Sequence, residues 1–183
     1  MTETEIKFRH DDLADLRARI LGAGGKPVAA FFEDNIVYDD RAGSLFSRKL
    51  LLRLRKSDRV SLTFKKPIEK AVFKVMEEIE VDVSDFDSMN EILLALGYAK
   101  AFRYQKRRAL FTLGRTAVNL DETPIGDFVE IEGEKTGIES AARTLNLNME
   151  KGISKNYLEL YREFCEERGM EPADMVFRDG ETG

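Results

Sequence analysis

Apolar and charged residues alternate through much of the chain with a period of two, the pattern of a β-strand with one apolar face. Short turn sequences such as KSDR at 56–59 and LGRT at 113–116 separate several of these segments. Because connections this short join antiparallel neighbours, we expect a largely antiparallel sheet. The alternation predicts eight strands, over residues 2–9, 28–39, 49–56, 60–66, 72–83, 101–113, 116–122 and 127–134.

Four other segments space their apolar residues as a helix does. The first offers aspartates to cap its start and glycines to end it, and the second ends at Gly97. Each apolar stripe is typical of packing against a sheet, so the predicted fold class is α+β. The predicted helices cover residues 10–22, 84–97, 137–148 and 153–169.

Length and composition fit one globular domain, predicted over residues 1–168, with a flexible C-terminal tail at 169–183. The net charge of −5 argues against a nucleic-acid partner held by bulk electrostatics. A single cysteine, Cys165, forbids an internal disulfide and fits a reducing compartment. We find neither a signal peptide nor an apolar run of the roughly 20 residues that span a membrane. A cytoplasmic protein without a membrane partner is therefore expected.

Charged residues share one face of nearly every predicted strand. Arg53 and Arg55 are two residues apart on one strand, and Glu130 and Glu132 on another. One strand is ambiguous, because Arg107 breaks the alternation although its two neighbours can still face together. The pattern therefore raises the question of where the charged face points.

Two architectures explain such strands. In the first, an open sheet packs helices on its apolar face and exposes its charges to water, which is common for antiparallel sheets. In the second, the strands close into an eight-stranded antiparallel β-barrel, a tunnel with a charged interior and helices packed outside. Eight strands enclose about enough space for one small ligand. Segregation of basic and acidic pairs onto different strands favours the barrel.

A buried set of charges requires ions or an anionic ligand to balance it. Basic residues could bind several phosphates, and the acids outnumber what these bases need for pairing. Surplus carboxylates beside phosphates are the oxygen ligands that Mg²⁺ or Mn²⁺ prefers. The basic set is Lys7, Arg53, Arg55, Lys65, Lys106 and Arg108. The acidic set is Glu3, Glu5, Glu78, Glu80, Asp121, Glu130 and Glu132.

The order of these residues resembles the CYTH superfamily, the triphosphate tunnel metalloenzymes, over about residues 3 to 161. Its signature is an N-terminal E-x-E-x-K, which is here Glu3, Glu5 and Lys7. Further matches follow in the family's order: DNIVYDD, LRLR, LTFK, EEIEV, YQKRR, NLDETPIGDFVEIEGE and a late SKNY. One departure is Met76, where many relatives keep an arginine.

The resemblance implies a tunnel that binds a triphosphate with one or two divalent metal ions. It assigns the metal to Glu3, Glu5, Asp121, Glu130 and Glu132, and the phosphates to the six bases. It also implies catalytic roles for Lys7 and Lys65, and leaves the roles of Glu78 and Glu80 open. The expected partner is a small molecule such as ATP, thiamine triphosphate or tripolyphosphate, and the protein is expected to be a monomer or homodimer.

Three functions are compatible with this site. Overall similarity favours the class IV adenylyl cyclases, which convert ATP to cyclic AMP and pyrophosphate. A triphosphatase would use the same metal and the same grip on the phosphates. A non-catalytic polyphosphate-binding module is less favoured, because binding alone does not require so many acidic residues.

Overall fold

Eight antiparallel strands form a ring in the computed structural model. The structure describes residues 2–70 and 74–178, without the side chains of Thr2, Glu3, Glu69, Lys70 and Lys74. The strands are β1 (Thr2–Arg9), β2 (Lys26–Asp40), β3 (Leu51–Lys56), β4 (Val60–Lys70), β5 (Lys74–Asp82), β6 (Tyr98–Leu113), β7 (Thr116–Thr123) and β8 (Gly126–Glu132). The helices are α1 (Leu13–Gly22), α2 (Ser44–Ser47), α3 (Phe86–Ala95), α4 (Lys135–Thr144) and α5 (Tyr157–Glu167), with a 3₁₀ turn at Met149–Lys151.

The ring is closed, with the strand order β1-β5-β4-β3-β2-β6-β7-β8. Strand β1 completes it, because its first half pairs with β5 and its second half with β8. Full closure removes the edges that an open sheet would leave unpaired. The predicted barrel is therefore confirmed, and the open-sheet alternative is excluded.

Outside the ring, the apolar strand faces pack against helices in two clusters. Helices α1 and α4 cover Ile6 and Ile131 of β1 and β8. Helix α3 places Leu93 against Leu54 of β3. A third cluster is on the inner side, where α5 packs against Phe128, which is on the same face of β8 as Glu130. Burial of the outward residues supplies the hydrophobic stabilisation that the charged interior cannot.

Local side-chain contacts explain where the helices begin. The Asp12 carboxylate accepts the backbone N–H of Asp15 at 2.8 Å, and Asp85 caps α3 in the same way. Helix α5 starts with a capping box between Asn156 and Glu159. The short helix α2 was not predicted; the carboxylate of Asp39 accepts two backbone N–H groups at its start, each at 2.9 Å.

The C-terminal segment is attached to the outside of the barrel as far as Arg178. Met175 is 1% exposed and forms a parallel bridge with Tyr104 of β6. The rest of the predicted flexible tail, residues 179–183, lies outside the described residues, so its flexibility and the domain boundary at residue 168 stay predictions. Within the described ranges, no helix is long and apolar enough to cross a membrane.

Candidate active site

A cavity of about 220 Å³ lies inside the ring and is lined largely by charged side chains. All six of the basic residues predicted from the sequence line it: Lys7, Arg53, Arg55, Lys65, Lys106 and Arg108. Five of the seven predicted acids also line it: Glu5, Glu78, Glu80, Glu130 and Glu132. Of the other two, Asp121 is fully buried beside the cavity, and the side chain of Glu3 lies outside the described part of the chain.

Lys7 lies between two of the acids. Its ammonium Nζ is 2.8 Å from Oε1 of Glu5 and also contacts Glu130. Burial lowers the pKa of Lys7, but Glu130 and Glu5 outweigh this effect and hold the pKa above its ordinary value. Lys7 is therefore a fixed positive charge in the tunnel wall rather than a group that exchanges a proton.

Three carboxylates form a group that could hold a metal ion. Glu5, Glu130 and Glu132 each bring one oxygen within 4.8 Å of the others. They meet because the register of β1 and β8 places Glu5 opposite Glu132 and Lys7 opposite Glu130. Burial raises the pKa of Glu130, but Lys7 and Arg108 hold it well below its usual range. An all-oxygen donor set of this kind fits Mg²⁺ or Mn²⁺.

Asp121 lies outside that group and is surrounded by donors. Arg108 donates to both of its carboxylate oxygens at 2.7 Å, and Nζ of Lys106 lies 3.0 Å away. The hydroxyl of Tyr157 donates to the same carboxylate at 2.5 Å. Burial raises the pKa of Asp121, but Arg108 and Lys106 lower it below the usual value. The structure therefore places Asp121 as a counterion behind two cavity-lining cations.

The opposite wall carries Arg53 and Lys65 with their acidic partners. Arg53 donates to the hydroxyls of Tyr104 and Thr63, each at 3.2 Å. The Thr63 hydroxyl donates in turn to Glu80 at 2.8 Å. Nζ of Lys65 lies 3.0 Å from Glu78. Glu78 and Glu80, which had no predicted role, thus pair with the predicted phosphate-binding bases of this wall.

The structure shows which of Arg107 and Arg108, both on strand β6, faces the cavity. Arg108 faces the cavity, with its side chain 11% exposed. Arg107 points outward, where it donates to Glu122 at 2.9 Å and lies over the ring of Phe177 at 4.4 Å. Two adjacent arginines therefore have opposite environments.

Four further tunnel residues were not predicted as site residues. Glu33 and Asn35 of β2 face the interior, and their two-residue spacing in a predicted strand was the signal that could have revealed them. Tyr104 and Tyr157 line the cavity. Tyr157 is buried, and the centre of its ring also lies 5.4 Å from Nζ of Lys7 and 5.1 Å from Nζ of Lys106. The spacing of aromatic residues in the sequence does not show whether a tyrosine packs in the core or faces the cavity.

The closed ring, with its charged interior and its carboxylate group, is the tunnel fold that the resemblance implied. The model of the CYTH domain family matches residues 1–159, and the chain belongs to this family.

Two similar proteins of moderate sequence identity align with this chain over nearly their whole length. A protein of Methanocaldococcus jannaschii, named "Putative adenylate cyclase MJ0240", is 26% identical over 172 residues, which are 87% of this chain and 98% of that protein. The solved structure of the PH1012 protein of Pyrococcus horikoshii is 27% identical with a TM-score of 0.75, and the match covers 86% of this chain and 98% of that one.

A more distant structural neighbour comes from Hippeastrum. It is described as "Putative adenylyl cyclase HpAC1" with a dominant triphosphatase activity. Its identity is 17% and its TM-score 0.66, with 93% of this chain and 97% of that chain covered. At this identity the likeness shows a shared fold.

Proposed function

We propose that the protein is a metal-dependent enzyme that acts on a triphosphate inside the tunnel. The observation that carries the proposal is the carboxylate group of Glu5, Glu130 and Glu132 beside six basic side chains in one cavity. Cations alone would suit an anion-binding protein, and acids alone would suit a metal site. Their combination suits a substrate whose negative charge is shared between protein and metal.

Glu5, Glu130 and Glu132 would hold Mg²⁺ or Mn²⁺, with Glu3 as a further ligand by the family motif. When bound, the ion would neutralise charge that develops on the phosphoryl group. The ion pairs of Asp121 favour a positioning role for it over the metal role that the resemblance implied. Lys106 and Arg108 would then be fixed from behind by this carboxylate.

The six basic residues would bind the phosphates. Lys7 and Lys65 are the proposed catalytic pair, and they would act by stabilising charge rather than by taking a proton. The raised pKa of Lys7 supports this role, because an ammonium that stays charged cannot serve as a general base. Such a site works by placement and electrostatics rather than by covalent chemistry.

The reaction that we favour is that of the class IV adenylyl cyclases. The ribose 3′-hydroxyl of ATP would attack the α-phosphorus, and pyrophosphate would leave. The name of the M. jannaschii relative supports this choice. The second candidate is a triphosphatase, in which water attacks the terminal phosphorus. It is supported by the modest volume of the cavity, about 220 Å³, and by its largely charged lining, which suits phosphates.

A product assay separates these candidates. Purified protein is incubated with ATP, thiamine triphosphate or tripolyphosphate, with Mn²⁺, Mg²⁺ or excess EDTA, and the products are resolved by chromatography. We expect cyclic AMP and pyrophosphate from ATP, and no turnover in EDTA. Orthophosphate from tripolyphosphate without cyclic AMP would favour the triphosphatase, and full activity in EDTA would refute the metal site.

A matched pair of variants tests the metal ligands within the same assay. Glu130→Gln removes a carboxylate from the proposed metal site, and Glu122→Gln makes the same chemical change where the side chain pairs with Arg107 outside the barrel. We expect only Glu130→Gln to weaken metal binding and abolish turnover, and Glu122→Gln to behave like the wild type. The oligomeric state, monomer or homodimer, and the cytoplasmic location stay predictions.

A further inference from the structure

Glu33 of β2 is a fully buried carboxylate inside the barrel, with 0% of its surface exposed. It lies behind the cavity wall, since it is not among the side chains that line the cavity. A carboxylate without access to water costs several kcal/mol unless cations and hydrogen bonds compensate for the lost hydration. Its partners therefore show what keeps it in place.

Three cavity-lining cations converge on this carboxylate. Its Oε2 lies 3.2 Å from Nη2 of Arg55 and 3.5 Å from Nζ of Lys106. Its Oε1 lies 3.9 Å from Nε of Arg108 and accepts no hydrogen bond from the described residues. Burial raises the pKa of Glu33, but Lys106, Arg55 and Arg108 lower it to about 2, so the carboxylate is ionised at neutral pH.

Glu33 differs from the acids that line the cavity and shares with Asp121 a buried position beside Lys106 and Arg108. Glu5, Glu130 and Glu132 line the cavity and can reach a ligand, whereas Glu33 contacts the bases without lining it. Strand β2 holds the carboxylate opposite Lys106, its register partner on β6. Since three long side chains share this one anion, its position restricts the directions in which their charged ends can point.

We propose that Glu33 is a positioning residue that orients Arg55, Lys106 and Arg108 toward the transferring phosphoryl group of a bound triphosphate. This inference rests on the proposed function of the same tunnel. Positive charge by itself would bind a triphosphate in several arrangements of similar energy. Catalysis requires one arrangement, because small errors in the placement of reacting groups lower the rate strongly. Glu33 thus affects turnover more than binding.

The test compares Glu33→Gln with Glu33→Asp and with a neighbouring control. Gln keeps the size of the side chain and removes its charge, and Asp keeps the charge on a shorter arm. Asp34→Asn is the control, because Asp34 faces outward and pairs with Arg103 at 2.6 Å. Turnover of the wild-type protein's best triphosphate is measured with Mn²⁺ well below the melting temperature of each variant. Tripolyphosphate binding is measured by calorimetry.

We expect Glu33→Gln to lower kcat by at least about tenfold and to change KM and tripolyphosphate affinity by less than about threefold. Glu33→Asp should recover part of the lost kcat, and Asp34→Asn should behave like the wild type. Wild-type kcat in folded Glu33→Gln, or a raised KM with unchanged kcat, would overturn the positioning role alone. A wild-type protein that neither binds nor turns over any triphosphate would overturn the proposed function and this inference with it.

Discussion

The inner and outer walls of the barrel are built from the same eight strands, yet they follow opposite rules. The inner wall buries charges, and each described ion pair there must offset the loss of hydration. The outer wall buries apolar side chains such as Leu54 beneath helices, but leaves Ile79 on β5 59% exposed. The outer wall therefore provides stability, and the inner wall has a charged composition that fits the proposed ligand site.

Two adjacent arginines on β6, Arg107 and Arg108, allow the most direct comparison of the outer and inner walls. Arg108→Ala removes a cation that contacts Asp121 and Glu130 inside the cavity, whereas Arg107→Ala removes one that pairs with Glu122 outside. We expect Arg108→Ala to lower kcat/KM for a triphosphate by about 10²- to 10³-fold and Arg107→Ala by less than about twofold. Steady-state kinetics on the folded fraction of each variant measures the difference.

The melting temperature of each variant serves as the control for this pair. Arg108→Ala also leaves buried carboxylates with fewer partners, so some loss of stability is expected. If the two variants lost activity to the same extent, the distinction between the inner and outer walls at β6 would be wrong.

The second prediction compares two positions of the outer wall itself. Leu54→Ala opens a cavity beneath α3, and we expect it to lower the free energy of unfolding by about 3 kcal/mol. Ile79→Ala is on a face that no helix covers, and we expect a change of less than about 1 kcal/mol. Urea titrations of both variants measure these values. Equal losses would mean that Ile79 is covered in solution.

The smallest expected effect is a pH dependence of stability that arises from the inner wall. The folded state holds the pKa of Glu33 at about 2, below its ordinary value of 4.5. A lowered folded-state pKa gives stability that is present above the unfolded pKa and is lost as the pH falls through the folded one. Glu33 should therefore stabilise the folded state above about pH 5, and this contribution should disappear toward pH 2.

Unfolding of wild type and Glu33→Gln between pH 7 and pH 2 isolates this contribution. The two proteins should differ most at neutral pH and converge in acid, since a protonated Glu33 resembles glutamine. A difference in stability that did not change with pH would show that the cost of the substitution comes from packing rather than from charge.

Alternation alone predicted the eight strands to within a few residues, because a closed ring with one charged and one apolar face keeps a strict period of two. The same logic placed Arg53 and Arg55 correctly. It failed at residues 106–108, where three consecutive cations conceal the period. It also could not find the bridge at Met175, because a single paired residue leaves no pattern.

The arrangement of the acids could not be predicted from one strand at a time. Whether Glu130 approaches Glu5 depends on the register between β8 and β1, which are distant in sequence. Whether Asp121 approaches Arg108 depends on the register of the hairpin formed by β6 and β7. The resemblance to a family implied metal roles for both Glu130 and Asp121. In the structure Glu130 lies with Glu5 and Glu132, whereas Asp121 pairs with Lys106 and Arg108. The missing information is which residues of two strands lie opposite each other, which composition and periodicity do not contain.

The strict alternation of the strands also has an evolutionary consequence. Deleting Arg107 from β6, for example, would turn the following part of the strand over, moving Arg108 to the outer face and Ala109 to the inner one. Proteins with this fold can therefore tolerate substitutions within their strands, whereas insertions and deletions should be tolerated mainly in the turns. A β-bulge accommodates one extra residue, as at the register shift between Val37 and Tyr38. Alignments of such proteins should show gaps at the turns and at such bulges, and almost none among the tunnel residues.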